Sequence, residues 1–279
     1  MSNFLRPYQV WKMRICTNKQ LYFIGNGELN QNTEKSVKAH SHNGDETHPR
    51  ETIFPIFRVD EQNCCHLVGT GFFIGDDGVF VTAKHIIEEI ESKGGHVAIV
   101  HIKAGKWFLR NVAFSTLHHK ADIAVVHLNR LYNQTKDEYL SNDKLKIAKS
   151  PTRKGDSLFT YAYPKTTIAY EELPRINIVP SIYDGVITEE YPDGRDRMLP
   201  SACYQVDMLI HGGASGGPVF NSNGEVVAIN SSSMSFDEPD SGCTFVSCIQ
   251  DVMDLDIYEN APQKSNFLPT KVSEYINDV

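Results

Sequence analysis

Residues 212–220 read Gly-Gly-Ala-Ser-Gly-Gly-Pro-Val-Phe, a single serine set among four glycines and followed by a short apolar run. Glycine tolerates positive φ and lets a second backbone approach closely, so this is a stretch suited to presenting a serine on a tight turn. The backbone N–H groups of Gly213 and Ser215 can then converge on one point and form a hole for an oxyanion. The plainer reading of the same nine residues is a Gly/Ser turn between two strands. A hydroxyl nucleophile needs a base, and eleven histidines make any one of them weak support. His85 stands out because it follows the β-like run GVFVTA (78–83) and opens a helical pattern, which sets it at a strand end. Asp122, in ADIAVVHL (121–128), heads another apolar run. A carboxylate there is poorly solvated unless it has a partner, and an imidazole N–H is a natural one. Each residue alone has an ordinary explanation, a cap for His85 and a turn for Asp122. The three fall in the order His85, Asp122, Ser215, spaced by 37 and 93 residues.

The chain around these residues is patterned for strands. Short β-type runs recur at 53–59, 67–75, 78–83, 96–102 and 123–128, divided by the turn signals DDG, KGG and KAGK. After a polar stretch at 131–146 they resume at 157–164, 176–187, 202–210, 218–233 and 243–249. Such spacing predicts an all-β sandwich or barrel. The polar break predicts two β-barrels, a first over about 51–135 and a second over about 150–248, within a unit spanning 51–256. Helical patterns occur after His85 (IIEEIESK) and at 249–256 (IQDVMDLD). Residues 1–50 read as an N-terminal extension. Its apolar patches at 8–16 and 21–24 can form a hairpin, and 31–50 hold little to bury and read as a mobile polar loop. Residues 257–279 read as a short polar tail.

Composition narrows the function classes. The 279 residues are 41% hydrophobic and 22% charged, with a net charge of −8. Acidic balance disfavours nucleic acid as a partner, and apolar runs no longer than four residues disfavour a membrane span. The N-terminus MSNFLRPYQVWKMRICTNK has no apolar signal-peptide core, and six scattered cysteines are too few for a disulfide scaffold. Both features point to free thiols and a cytoplasmic location. His40, His42 and His48 match no metal-ligand spacing, so no metal and no cofactor is expected. Cys203, in SACYQV, lacks the glycine-rich turn of a nucleophile.

Taken together, GTGFFIGDDGVFVTAKH (69–85), ADIAVVHL (121–128) and GGASGGPVFNSNGEVVAIN (212–230) resemble the chymotrypsin-like serine proteases, in particular the HtrA/Deg-type trypsin-like branch. GDSLFTYAYP (155–164), YQVDMLIHGG (204–213) and SGCTFVSCI (241–249) add weaker matches. The resemblance covers about 52–256. It implies two six-stranded barrels with a short C-terminal helix and an active site in the cleft between them. It also implies a catalytic triad of His85, Asp122 and Ser215, with Gly213 and Ser215 as oxyanion donors. The expected activity is a serine endopeptidase acting on protein or peptide substrates through an acyl-enzyme. Leu209, six residues before the serine, would lie near the base of the specificity pocket and favour an uncharged residue there. Asn230, Ser231, Ser232 and Ser233 would form a wall offering backbone groups to an extended peptide, and His211 would stand at the pocket mouth. Two departures matter. Ala214 stands where secreted digestive members carry an aspartate that pairs with a cleaved N-terminus, and the chain after the core is too short for a PDZ domain. Regulation would then come from loop ordering or an activating protein. The alternative is a latent or non-hydrolytic peptide-binding module on a protease scaffold, and esterase activity with the same residues is a third reading.

Overall fold

The computed structural model describes residues 10–14, 20–24, 39–41, 44–134, 136–170, 174–235, 242–258 and 269–278. Twelve strands build two closed barrels. The first barrel consists of β1 (Ile53–Val59), β2 (Cys65–Phe73), β3 (Val79–Thr82), β4 (His96–Lys103), β5 (Lys106–Leu117) and β6 (Ala124–Leu128), in the order β6-β3-β2-β1-β4-β5. The second consists of β7 (Ser157–Ala162), β8 (Ser181–Tyr191), β9 (Cys203–Val206), β10 (Pro218–Phe220), β11 (Val226–Ser235) and β12 (Gly242–Cys248), in the order β7-β8-β9-β12-β11-β10. All the barrel ladders are antiparallel. Closure leaves the barrels without the long exposed edges of an open sheet.

The β-branched and aromatic runs form these strands because they pack on a pleated surface. Phe54, Phe72, Phe73 and Phe80 fill the first barrel, all within 1% of complete burial, and the Phe54 and Phe73 rings lie 4.6 Å apart between centroids. Val206, Val219, Ala228 and Val246 line the interior of the second. The interruption at 131–146 is partly ordered: the short strands Tyr132–Asn133 and Glu138–Tyr139 pair with each other.

The helical pattern after His85 is α1 (Lys84–Lys93), which buries Ile86, Ile87 and Ile90 on its apolar face. At Ile249–Asp254 the chain forms a 3-10 helix. The C-terminal helix is a separate one, α2 (Val272–Asp278), inside the segment read as a polar tail. Val272 is fully buried, and the Tyr275 hydroxyl donates to Asp77 at 2.6 Å, tying the C-terminus to the β2–β3 turn. Val272, Tyr275 and Ile276 do recur at i, i+3 and i+4, but over seven residues the pattern is too short to mark a helix by periodicity.

The N-terminal patches do pair as a hairpin, Val10–Arg14 with Gln20–Ile24. The second strand continues in parallel onto Pro174–Asn177, extending a four-stranded sheet. Within the region read as a mobile loop, residues 31–38, 42 and 43 lie outside the described residues. The rest departs from that reading. Ala39 is fully buried, the His40 N–H donates to Gly224 O at 3.1 Å, and the Lys146 N–H donates to His40 O at 2.9 Å. A backbone stitched at both ends needs few apolar side chains, which is why composition did not reveal it.

Candidate active site

Asp122 sits in the β5–β6 connection and His85 in the first turn of α1. The Asp122 carboxylate accepts from His85 Nδ1, at 2.9 Å to Oδ2 and 3.1 Å to Oδ1. Its Oδ1 also accepts the His85 backbone N–H at 3.0 Å. That second bond explains the local fold. The N-cap residue Ala83 has no side-chain acceptor, and the first N–H groups of a helix have no partner within it. Asp122 supplies one from the neighbouring loop, fixing the aspartate, the helix start and the imidazole together. Its side chain is 13% exposed, against 42% for His85, so the ring reaches into the cleft while its anchor stays inside. Burial pushes the imidazole pKa down, but the hydrogen bond and charge of Asp122, helped by Glu89 and Glu88, outweigh it and leave it raised.

The Ser215 loop is held from both barrels. Residues 211–214 form a turn closed by the Ala214 N–H on His211 O at 3.2 Å, with Gly213 at φ +92° in its third position. Gly212 is not among the positive-φ glycines, so the turn is of type II, which favours glycine at that third position. From the second barrel, the Gly216 N–H donates to Asn230 O at 2.7 Å and the Asn230 N–H to Gly217 O at 2.9 Å. From the first barrel, the Thr70 N–H donates to Ser215 O at 2.8 Å, and Thr70 Oγ1 donates to Gly213 O at 2.8 Å. Thr70 Oγ1 also accepts the Tyr163 N–H at 3.2 Å, and Thr82 Oγ1 donates to Thr70 O at 2.9 Å. Thr70 is fully buried and joins the two barrels beneath the serine. Sequence reasoning did not single it out. Its only signal was its place in the GTG at 69–71.

This packing brings the serine loop against the strand end that carries His85. A Cβ added to Gly216 would overlap Thr82 Oγ1 and come within 2.5 Å of Thr70 O and 2.7 Å of Ala83 N, and Gly216 sits at φ +79°. Gly216→Ala is therefore expected to cost about 3 kcal/mol or more, from left-handed strain plus overlap with backbone atoms that cannot move aside. A thermal melt should show the midpoint falling by about 6–12 °C. A midpoint within about 2 °C of the wild type would mean the two barrels are not locked through this glycine.

Around Ser215 several groups are uncommitted. Among the described residues, neither Ser215 Oγ nor His85 Nε2 makes a hydrogen bond, and the Gly213 and Ser215 N–H groups donate to no protein acceptor. The pocket residues separate into two kinds. Leu209 is half-buried against β12, where a Cβ on Gly242 would come within 2.8 Å of its Cδ1. His211 is exposed, with its ring 6.3 Å from that of Tyr183. Ser233 Oγ donates to Ile210 O at 2.9 Å and ties β11 to the segment before the nucleophile loop. Ser231 is buried with its hydroxyl 2.7 Å from that of Ser247, and Ser232 is exposed. Asn230 differs from its reading as a pocket wall. It is fully buried, and its Nδ2 donates to Thr160 Oγ1 at 2.8 Å and to Ala214 O at 3.3 Å, so it braces the loop from behind. Among the described residues, no group of three His, Cys, Asp or Glu side chains is placed to hold a metal, and no helix is long and apolar enough to cross a membrane.

The family model of the trypsin-like peptidase domain matches residues 69–229, more than half of the chain and inclusive of all three residues. The chain belongs to the trypsin-like peptidase family. Among curated relatives, a probable periplasmic serine endoprotease DegP-like of Pseudomonas putida (strain W619) is 26% identical over 178 residues, covering 62% of this chain and 31% of that protein. Serine protease HTRA1B of Danio rerio is 24% identical over 166 residues, covering 58% of this chain and 29% of that one. The chain thus spans about a third of the length of the curated relatives it matches. Among solved structures, Deg5 superposes with a TM-score of 0.52 at 21% identity, covering 73% of this chain and 86% of that one. The Rv3671c protease from M. tuberculosis, in its active form, gives 0.51 at 18% identity, with coverage of 73% and 78%. Both share the fold.

The relatives overturn the cytoplasmic location expected from the sequence. DegP-like proteins from Pseudomonas putida, Rhizobium meliloti and Bartonella henselae all carry periplasmic in their names. The cysteine argument behind that expectation was weak for a physical reason. Of the five described cysteines, all unpaired, four are buried, and a buried thiol escapes oxidation in any compartment.

Proposed function

We propose that this trypsin-like domain is a serine endopeptidase in which Ser215 is the nucleophile, His85 the general base and acid, and Asp122 the residue that orients His85. One observation carries the reading: the Asp122 carboxylate accepts the hydrogen bond of His85 Nδ1–H, leaving Nε2 as an unoccupied acceptor facing the cleft. With Nδ1–H donated, Nε2 is the basic nitrogen and can take the Ser215 hydroxyl proton as Oγ attacks the scissile carbonyl. The resulting imidazolium is stabilised by Asp122 and delivers its proton to the leaving amine. The free Gly213 and Ser215 N–H groups receive the tetrahedral oxyanion, each worth about 2.7–4 kcal/mol to the transition state. Water then resolves the acyl-enzyme by the same relay. Leu209 beside Gly242 offers no charge to the pocket floor, which supports an uncharged residue before the scissile bond. Among the described residues, the edge of β11 over 232–235 is paired only on its β12 side, so an extended peptide can add there as a further strand.

A second reading has one observation in its favour. Ser215 and His85 make no hydrogen bond with each other in this structure, which fits a latent site completed by loop ordering or by an activating protein. Catalytic hydrogen bonds are often long before substrate arrives, so the gap is compatible with an active enzyme as well. Fluorophosphonate labelling of the folded chain separates the two. An active peptidase is expected to carry the adduct on Ser215 by mass spectrometry, and the Ser215→Ala variant to carry none. A folded wild-type sample that stays unlabelled would support the latent module instead.

A further inference from the structure

A cleft of about 810 Å3 opens beside His85. Its walls come from α1, the β5–β6 connection, the β8–β9 loop at 195–200, and the free edge of β11 at Ser231, Ser232 and Met234. Seven charged side chains other than histidine line it: Lys84, Lys120, Arg195 and Arg197 against Glu88, Asp122 and Asp196. All three carboxylates are committed. Asp122 holds His85. Glu88 is paired with Lys84 at 3.6 Å. Asp196 accepts the Met198 and Leu199 N–H groups at 2.8 and 3.1 Å and pairs with Arg195 Nε at 3.4 Å. Arg195 is further fixed by stacking its guanidinium 4.0 Å over the Phe245 ring. Lys84 and Arg195 are thereby neutralised. Lys120 and Arg197 remain, both exposed, and neither side chain has an ion-pair or hydrogen-bond partner among the described residues. In a chain of net charge −8, the two uncommitted charges of this cleft are both cations, one on each barrel's side of it.

We infer that this cleft selects substrates carrying an acidic side chain a few residues ahead of the scissile bond, with Lys120 and Arg197 as the specificity-determining pair. The placement follows from the strand geometry. A peptide added antiparallel to β11 runs from Met234 toward Ser231, so its residues beside 232–234 precede the bond that reaches Ser215. Side chains alternate in direction along such a strand, and those turned toward the first barrel enter the space between Lys120 and Arg197. The exposed Met198 and Met234 flank that space, so an acidic residue with apolar neighbours fits it better than an acidic run does.

The inference rests on the peptidase reading for its peptide ligand, but its test does not depend on turnover. Fluorescent peptides of one sequence, carrying Asp, Asn or Lys in turn at each position ahead of the scissile bond, are titrated into full-length Ser215→Ala protein by anisotropy. At one or two positions Asp is expected to bind about tenfold tighter than Lys, since each exposed pair contributes modestly. The preference should shrink at about 0.5 M salt through screening. It should reverse in the Lys120→Glu/Arg197→Glu protein. Equal affinity for Asp and Lys at every position, an Asp preference untouched by the charge reversal, or no binding of any peptide would overturn it. Failure of fluorophosphonate labelling would count against the peptidase reading alone and leave this readout standing.

Discussion

Replacing Ser215 with alanine is expected to lower kcat for peptide cleavage by about 10^6-fold, the scale of loss when a triad nucleophile is removed. The fold should not register the change. Ser215 Oγ makes no hydrogen bond among the described residues, and the loop is held by backbone groups that alanine retains: Ser215 O on Thr70, Gly216 N–H on Asn230, Gly217 N–H on Ala214. The expected stability difference is therefore within about 0.5 kcal/mol, as for a change away from any buried network. Paired measurement of kcat and of the thermal midpoint checks both halves. Residual cleavage within about 100-fold of the wild type, in protein free of contaminating protease, would show that another group supplies the nucleophile. A large drop in the midpoint would show the hydroxyl to be structural.

That separation of roles bears on how much of the molecule could be read from its sequence. The strand pattern was legible because both barrels have apolar interiors, and runs such as 78–83 and 123–128 carry that demand directly. The three residues proposed as nucleophile, base and orienting group stand out in the sequence because each lies at the boundary of such a run. The groups that bring them together were not. Thr70 works through one hydroxyl and one N–H, and Asn230 through an amide turned inward, and neither leaves a pattern that differs from an ordinary strand residue. Asn230 was accordingly read as a pocket wall when it is a brace. The expected short C-terminal helix is present, but it lies beyond the 249–256 pattern, at 272–278. It docks through Val272, Ile276 and the Tyr275 hydroxyl on Asp77, a run too short for periodicity to place and anchored on a residue 198 positions away in sequence.

Asp122→Asn tests the remaining member of the relay, and its side chain keeps enough of the original geometry to make the result informative. The amide Oδ1 can still accept the His85 backbone N–H, so the start of α1 keeps its cap. The Nδ2 group, however, is a donor where an acceptor stood. His85 must then turn its unprotonated Nδ1 to the amide and carry its proton on Nε2, the nitrogen that should receive the serine proton. A loss of about 10^4-fold in kcat is expected, the size associated with the wrong tautomer. The pH profile should move as well. Asp122 is the principal cause raising the His85 pKa, and burial acts in the opposite direction. In the wild type kcat/KM should rise with pH through a value above the usual 6.5 of histidine, because only the neutral ring is a base. The stability that the His85–Asp122 ion pair contributes runs the other way: it is complete below the unfolded histidine pKa and lost as pH rises through the raised folded one. With asparagine in place, burial is left unopposed by that carboxylate and the acid limb should shift to lower pH while the plateau falls. A plateau within tenfold of the wild type, or an acid limb that stays where it was, would mean that Asp122 caps α1 without orienting the base.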